Sequence, residues 1–307
     1  RLQGGSTMDR RSQLKGRLFI ILSAVIYGCM PLGASALYAE GVTPMSLVLL
    51  RNCLSLPLLA LLAHRCGGLR ISRGALGEVA AASAVGACLT PVLLFTSYRY
   101  LASGTAAVFH FSYPVFVVLG GLLLRERARG SAVFCTLLCT LGILLLFDGG
   151  GSVDPLGAVI ALASGVAYAA YILLLAHFRH REVSGFRMSF SLALICSACM
   201  LALCLLPRQL RLPQTARGWC AALLFSLMLS VGAAVLFQQG TFLVGGQRAA
   251  IFSTLEPITS IFVGALLLNE TLTPRILLGS APTLSASALI TVLDSRRSPA
   301  PDRPPQA

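Results

Sequence analysis

Residues 94–126 read LFTSYRYLASGTAAVFHFSYPVFVVLGGLLLRE, and residues 236–270 read LFQQGTFLVGGQRAAIFSTLEPITSIFVGALLLNE. The two stretches echo each other. Leu94-Phe95 aligns with Leu236-Phe237, and Tyr100-Leu101 with Phe242-Leu243. Ala106-Ala107-Val108-Phe109 aligns with Ala249-Ala250-Ile251-Phe252, and Pro114 with Pro257. Leu122-Leu123-Leu124-Arg125-Glu126 aligns with Leu266-Leu267-Leu268-Asn269-Glu270. Outside the quoted segments, Gly16, Ser23, Val25 and Tyr27 align with Gly157, Ser164, Val166 and Tyr168. A nearly constant offset of about 142 residues, kept in order over so many positions, points to an internal duplication.

The solvent for this duplication is read from composition. Of 307 residues, 56% are hydrophobic and 11% charged, against roughly 25% charged in a soluble domain. So few charges cannot cover a water-facing surface, whereas lipid requires none. At roughly 20 apolar residues per crossing the chain has room for about ten spans. Their expected positions are 17–38, 44–63, 77–97, 103–124, 131–147, 156–178, 187–206, 217–243, 248–268 and 275–293. The first run is longer than a signal-peptide core and is followed by further spans, so it is read as a span. Residues 1–7, ahead of Met8, are set aside.

The net charge of +13 is a standard pointer to nucleic acid, but here the basic residues lie between apolar runs rather than on a polar domain. That distribution is a topology signal. With the N-terminus in the cytoplasm, 18 of the 24 basic residues fall inside and five outside, namely Arg99, Arg208, Arg211, Arg217 and Arg275, with Arg51 within a span. Both termini are therefore expected in the cytoplasm. The segment 207–217 is the one local exception. Expected units are a cytoplasmic segment 1–15, a five-helix repeat 16–148, a second five-helix repeat 155–294, and a disordered cytoplasmic tail 295–307. An odd number of spans per repeat makes the second copy enter the bilayer from the opposite side, which places a substrate site near the midplane between the copies.

The fold class expected is thus all-α, a polytopic membrane protein of ten helices in two inverted repeats. On the residues quoted, the chain resembles the EamA-like family of the drug/metabolite transporter superfamily. The third-to-fourth helix stretch carries the resemblance, together with its second-half counterpart with its Glu256-Pro257 pair, and with Arg51. The resemblance implies a central cavity lined by the third, fourth, eighth and ninth helices and parts of the first and sixth. It also implies export of amino acids or related small metabolites across the bacterial inner membrane. The halves depart from each other at Tyr113, where the second has Glu256.

Ionisable groups inside spans are costly and are functional candidates for that reason. Glu256 precedes Pro257, which cannot donate a backbone hydrogen bond and frees a carbonyl one turn back. A carboxylate there can bind a cation or exchange a proton; it can also serve as a structural partner of Arg51 or of the freed backbone. Arg51 can attract an anionic group, or pair and snorkel. His110 and Tyr113, three residues apart, share a helix face, with a hydrogen bond to a neighbouring helix as the alternative role for the histidine. Gln238 and Gln239 point about 100° apart, so one is expected on the cavity and the other against a helix. Tyr27 and Tyr168 are repeat-related, either as paired cavity walls or as paired packing sites. Glu78, near the cytoplasmic end of span three, is expected at the interface.

Nine of the ten cysteines lie in apolar runs and read as small hydrophobes; Cys135 and Cys139 stand one turn apart, a weak metal signal. Motifs for ATP binding, zinc proteolysis or serine hydrolysis do not occur in the sequence. No cofactor and no metal are expected, and no enzyme activity. The expectation is a secondary transporter driven by an ion or solute gradient, with lipid and a small molecule as partners, proton coupling centred on Glu256, and homodimerisation left open. A membrane-embedded signalling or scaffold protein, and a membrane enzyme acting on lipid, are the alternatives.

Overall fold

In the computed structural model the described residues are 4–123, 134, 137–138, 141–142, 145, 153–178, 185–205, 210–244, 252, 255–271 and 274–295. Most of expected span five, the Cys135 and Cys139 pair, Glu126 and the tail beyond Ser295 fall outside them. Among the described residues there are helices and no strands. Seven helices are long and apolar enough to cross a membrane. They are α1 (Leu14–Ala39), α2 (Pro44–Arg65), α3 (Arg73–Ser97), α4 (Ser103–Leu123), α5 (Pro155–Leu175), α6 (Gly185–Leu205) and α7 (Ala216–Phe237). Two more follow, the shorter apolar α8 (Leu255–Leu267) and α9 (Pro274–Ser295). Spans one to four and six to eight of the sequence reading thus coincide with α1–α4 and α5–α7, with ends shifted by a few residues.

Helix starts follow ordinary capping chemistry. Thr43, Ser72, Asp154 and Thr215 each accept a hydrogen bond from the backbone N–H three residues on, and Pro44 and Pro155 occupy the first helical turn, where no intrahelical donor is lost. At α4 the cap comes from elsewhere. Its first residue, Ser103, donates its N–H to both Glu270 carboxylate oxygens (2.8 and 2.9 Å) and its hydroxyl to Oε2 (2.9 Å). A carboxylate beyond the end of α8 therefore satisfies orphan donors at the start of α4 and complements its dipole.

Several helices are interrupted within the bundle. α1 breaks at Cys29, two residues before Pro31. α4 divides into Ser103–His110 and Tyr113–Leu123 around Phe111 and Ser112, just ahead of Pro114. α3 and α7 each widen into one π-helical stretch, Ser83–Leu89 and Leu227–Ala233, a local irregularity found often at functional sites.

Close packing joins helices before residue 148 with helices after residue 155, and glycines permit it. A Cβ on Gly28 would lie 2.4 Å from Thr259 Cβ, one on Gly104 2.9 Å from the Ile261 Cα, and one on Gly165 2.9 Å from the His110 carbonyl oxygen. Small residues at such crossings let helix backbones approach where lipid supplies no hydrophobic drive for association. Serines add cross-helix bonds: Ser23 donates to the Ala233 carbonyl (2.7 Å) and Ser83 to that of Leu192 (2.9 Å). Large residues such as Leu123 (87% exposed) and Leu266 (74%) point outward, as a lipid-facing surface requires.

The helix ends sort into two groups. At one end of the bundle Glu40 meets Thr215, Gly157 meets Leu101, and Glu270 meets Ser103. At the other, Arg187 donates to the Gly67 carbonyl (2.7 Å).

Candidate functional site

Where these helices fail to close on one another, a cavity of about 220 Å³ remains. α1 supplies Tyr27 just before its break, α2 supplies Arg51, α4 supplies His110 and Tyr113 at its break, α5 supplies Tyr168, and α8 supplies Glu256. Six of the eight residues proposed from sequence therefore meet in one place, drawn from positions as far apart in the chain as Tyr27 and Glu256. Tyr27, His110 and Tyr113 sit at helix breaks, whereas Tyr168 comes from an uninterrupted helix.

The wall is aromatic. Tyr113 and Tyr168 meet edge to face with ring centroids 4.8 Å apart, His110 stacks at 5.3 Å from Tyr168, and Phe111 sits 5.7 Å from Tyr113. Such rings present both an apolar surface and, through the tyrosine hydroxyls, polar ends. His110 is buried, and its Nδ1 lies 2.9 Å from Ser164 Oγ on α5. Ser164 has one hydroxyl proton and gives it to the Ala161 carbonyl (2.6 Å). With that proton used, the imidazole Nδ1–H is the donor in the pair. His110 thus bonds a neighbouring helix and also lines the cavity.

A basic and an acidic side chain share the wall. Arg51 Nε approaches Ser230 Oγ (3.4 Å) in the π-helical stretch of α7, and the Arg51 carbonyl accepts from Ser226 (2.6 Å). Glu256 faces the same space. Among the described residues neither side chain forms an ion pair, so the expected structural pairing of Arg51 with Glu256 is not made. Each charge is left to interact with whatever enters.

Gln239 does not join the site: it is exposed, while Phe237 lines the cavity. The reason is periodicity, since two residues along an α-helix turn the side chain by about 200°. The Gln238 side chain lies outside the described residues. Sequence reasoning passed over Ser164, Thr90, Ser230 and Phe237. Ser164 carried a signal, its repeat match to Ser23, but a lone serine in an apolar run gives no hint of which neighbour it will meet. Among the described residues no cluster of three or more potential metal ligands occurs.

The model for the EamA-like transporter family matches residues 14–148 and again residues 155–292. The chain belongs to that family. The uncharacterized transporter YcbK of Bacillus subtilis is 28% identical over 278 residues, covering 85% of this chain and 88% of the relative. The uncharacterized inner membrane transporter YicL of Salmonella typhimurium is 29% identical over 228 residues, covering 70% and 72%. A crystal structure whose description names no activity superposes with a TM-score of 0.59 at 19% identity, covering 92% of this chain and 98% of the other. That likeness speaks to fold alone. Membership of the EamA-like family and the seven long apolar helices make this an integral membrane protein.

Proposed function

We propose that this EamA-like protein is a secondary transporter that exports small polar metabolites, amino acids or related compounds, from the bacterial cytoplasm by alternating access. The observation that carries the reading is the composition of the cavity wall. Tyr27, Arg51, His110 and Tyr113 come from the first segment matched by the family model, and Tyr168 and Glu256 from the second. A site split between two halves opens to alternate sides when one half rocks against the other.

The two halves are residues 16–148 and 155–294, ten spans in all, lying antiparallel with both termini in the cytoplasm. Support comes from the double family match, from the π-helical stretches at corresponding places in α3 and α7, and from the arginine distribution. Placement in the inner membrane draws on the relative YicL. Glu256 is the proton-coupling group, because a lone carboxylate on the cavity can trade a proton for a cationic part of the substrate. Arg51, Tyr27, Tyr113, Tyr168 and His110 bind substrate.

Purified protein in liposomes, offered a metabolite panel with and without a pH gradient, tests this. Flux of at least one solute that responds to the gradient in the native protein and not in Glu256→Gln is expected. No movement of any solute under any gradient would remove the transport reading, and unchanged pH response in Glu256→Gln would remove the coupling role.

A further inference from the structure

A second cavity of about 230 Å³ adjoins the first, and the two share Tyr27, Arg51, Gly86, Pro91 and Tyr168 along their walls. The second extends along α2 and α6 to Leu59, Ser189 and Ala193, toward the end of the bundle where Arg187 meets Gly67. The first reaches Leu94 and Met30, on the side where the Tyr38 hydroxyl meets the Phe95 carbonyl. The first also reaches Ser23 and Phe237, so the chambers overlap along the helix axes and lie side by side, the first against α4 and α8 and the second against α6, with Arg51, Tyr27 and Tyr168 on the shared wall.

Their chemistry differs. Glu256, His110 and the paired rings of Tyr113 and Phe111 line the first chamber alone. Among the described residues the second holds no acidic side chain, and its polar groups beyond the shared wall are Asn52, Tyr171, Ser189 and Ser230. Arg51 spends Nε on Ser230, and a guanidinium keeps four further N–H donors in a fork suited to a carboxylate. A cationic group fits against the carboxylate and aromatic faces of the first chamber. An anionic group fits against Arg51 and the hydroxyls of the second. A molecule carrying both charges on one carbon can lie in the first chamber, whose wall holds both Arg51 and Glu256, and leaves the second unfilled.

Resting on the transport reading above, we propose that the substrate of this site is an elongated zwitterion, with its ammonium and its carboxylate at opposite ends and one end in each chamber.

Two isomers isolate the point, since 2-aminohexanoate and 6-aminohexanoate have the same atoms and differ only in charge separation. Binding of each to the full-length purified protein in detergent is measured by calorimetry, alongside counterflow of each in liposomes. The 6-amino isomer is expected to bind at least tenfold more tightly. Arg51→Gln and Glu256→Gln should each erase that preference, and the methyl ester and the N-acetyl derivative of 6-aminohexanoate should lose it too. Ala193→Leu fills the second chamber from α6 and should weaken the 6-amino isomer while sparing the 2-amino isomer. Ala234→Leu fills it from α7, so that misfolding of one variant does not decide the result. Equal or weaker binding of the 6-amino isomer, absence of binding by both, or equal losses for both isomers in the filled variants would overturn the assignment. Binding of the 6-amino isomer without flux of any solute would instead sink the transport reading and leave the ligand assignment standing.

Discussion

The turn before Pro114 in α4 and the turn before Pro257 in α8 occupy matched places in the repeated sequence, yet they do different work. In α4 the helix divides around Phe111 and Ser112, and the residue ahead of the proline is Tyr113, its ring packed on Tyr168. In α8 the residue ahead of the proline is Glu256, a carboxylate on the cavity without an ion-pair partner among the described residues. The lesson is that a duplicated backbone device can be kept while its chemistry is divided. In α4 the regular ladder is broken just ahead of Pro114, and in both places the side chain preceding the proline lines the cavity. One copy then supplies an aromatic wall and the other a charge.

The strongest way to break this comparison is to exchange the two residues. Tyr113→Glu combined with Glu256→Tyr keeps the cavity's composition and moves the charge to the other wall. If the walls were interchangeable, liposome flux would return to the native level. Because His110 and Phe111 crowd only the α4 side, we expect flux at least about tenfold below native, a barrier change of about 1.4 kcal/mol or more.

The close approach that holds α5 against the α4 break is the next lever. Gly165→Val would drive a side chain into the His110 carbonyl, 2.9 Å from where its Cβ would sit. Overpacking against backbone of this kind costs about 1–3 kcal/mol, and thermal unfolding in detergent should show a matching drop. An unchanged midpoint would mean the α4 break is softer than its packing implies.

A smaller effect is expected from Ser164→Ala, which removes the acceptor for His110 Nδ1. Loss of a buried hydrogen bond to one partner costs about 1–3 kcal/mol in a fully dry site; the adjoining cavity lets water replace it, so the low end of that range applies, again read by thermal unfolding. Retention of full stability and flux would show that His110 is positioned by its ring contacts alone. Gln239→Ala should sharpen the contrast from the other side. Its side chain is exposed and off the cavity, so flux should hold at native level and stability should stay within about 0.5 kcal/mol.

How much of the site was legible beforehand follows the same division. Glu256, Arg51 and His110 stood out because a polar group in an apolar span carries a desolvation cost that demands a reason. Tyr27 and Tyr168 stood out because the duplication singled them out together. Thr90 and Ser230 were invisible, since hydroxyls in membrane helices are commonplace and can bond their own backbone. Thr90 does so, with the Val85 carbonyl at 2.8 Å. Gln239 misled for a different reason: polarity marked it, while helix rotation chose Phe237 for the cavity.

By itself the sequence determined the solvent, the helical class and the family, because these depend on composition and on spacing along one dimension. It also marked the costly charges. Only the tertiary structure decided which of them face each other, that Arg51 and Glu256 share a wall without pairing, that Glu270 caps α4 from a distance, and that the cavity has an adjoining chamber. Those outcomes depend on how helices hundreds of residues apart are rotated and how closely glycines let them approach, and neither quantity is written in local periodicity.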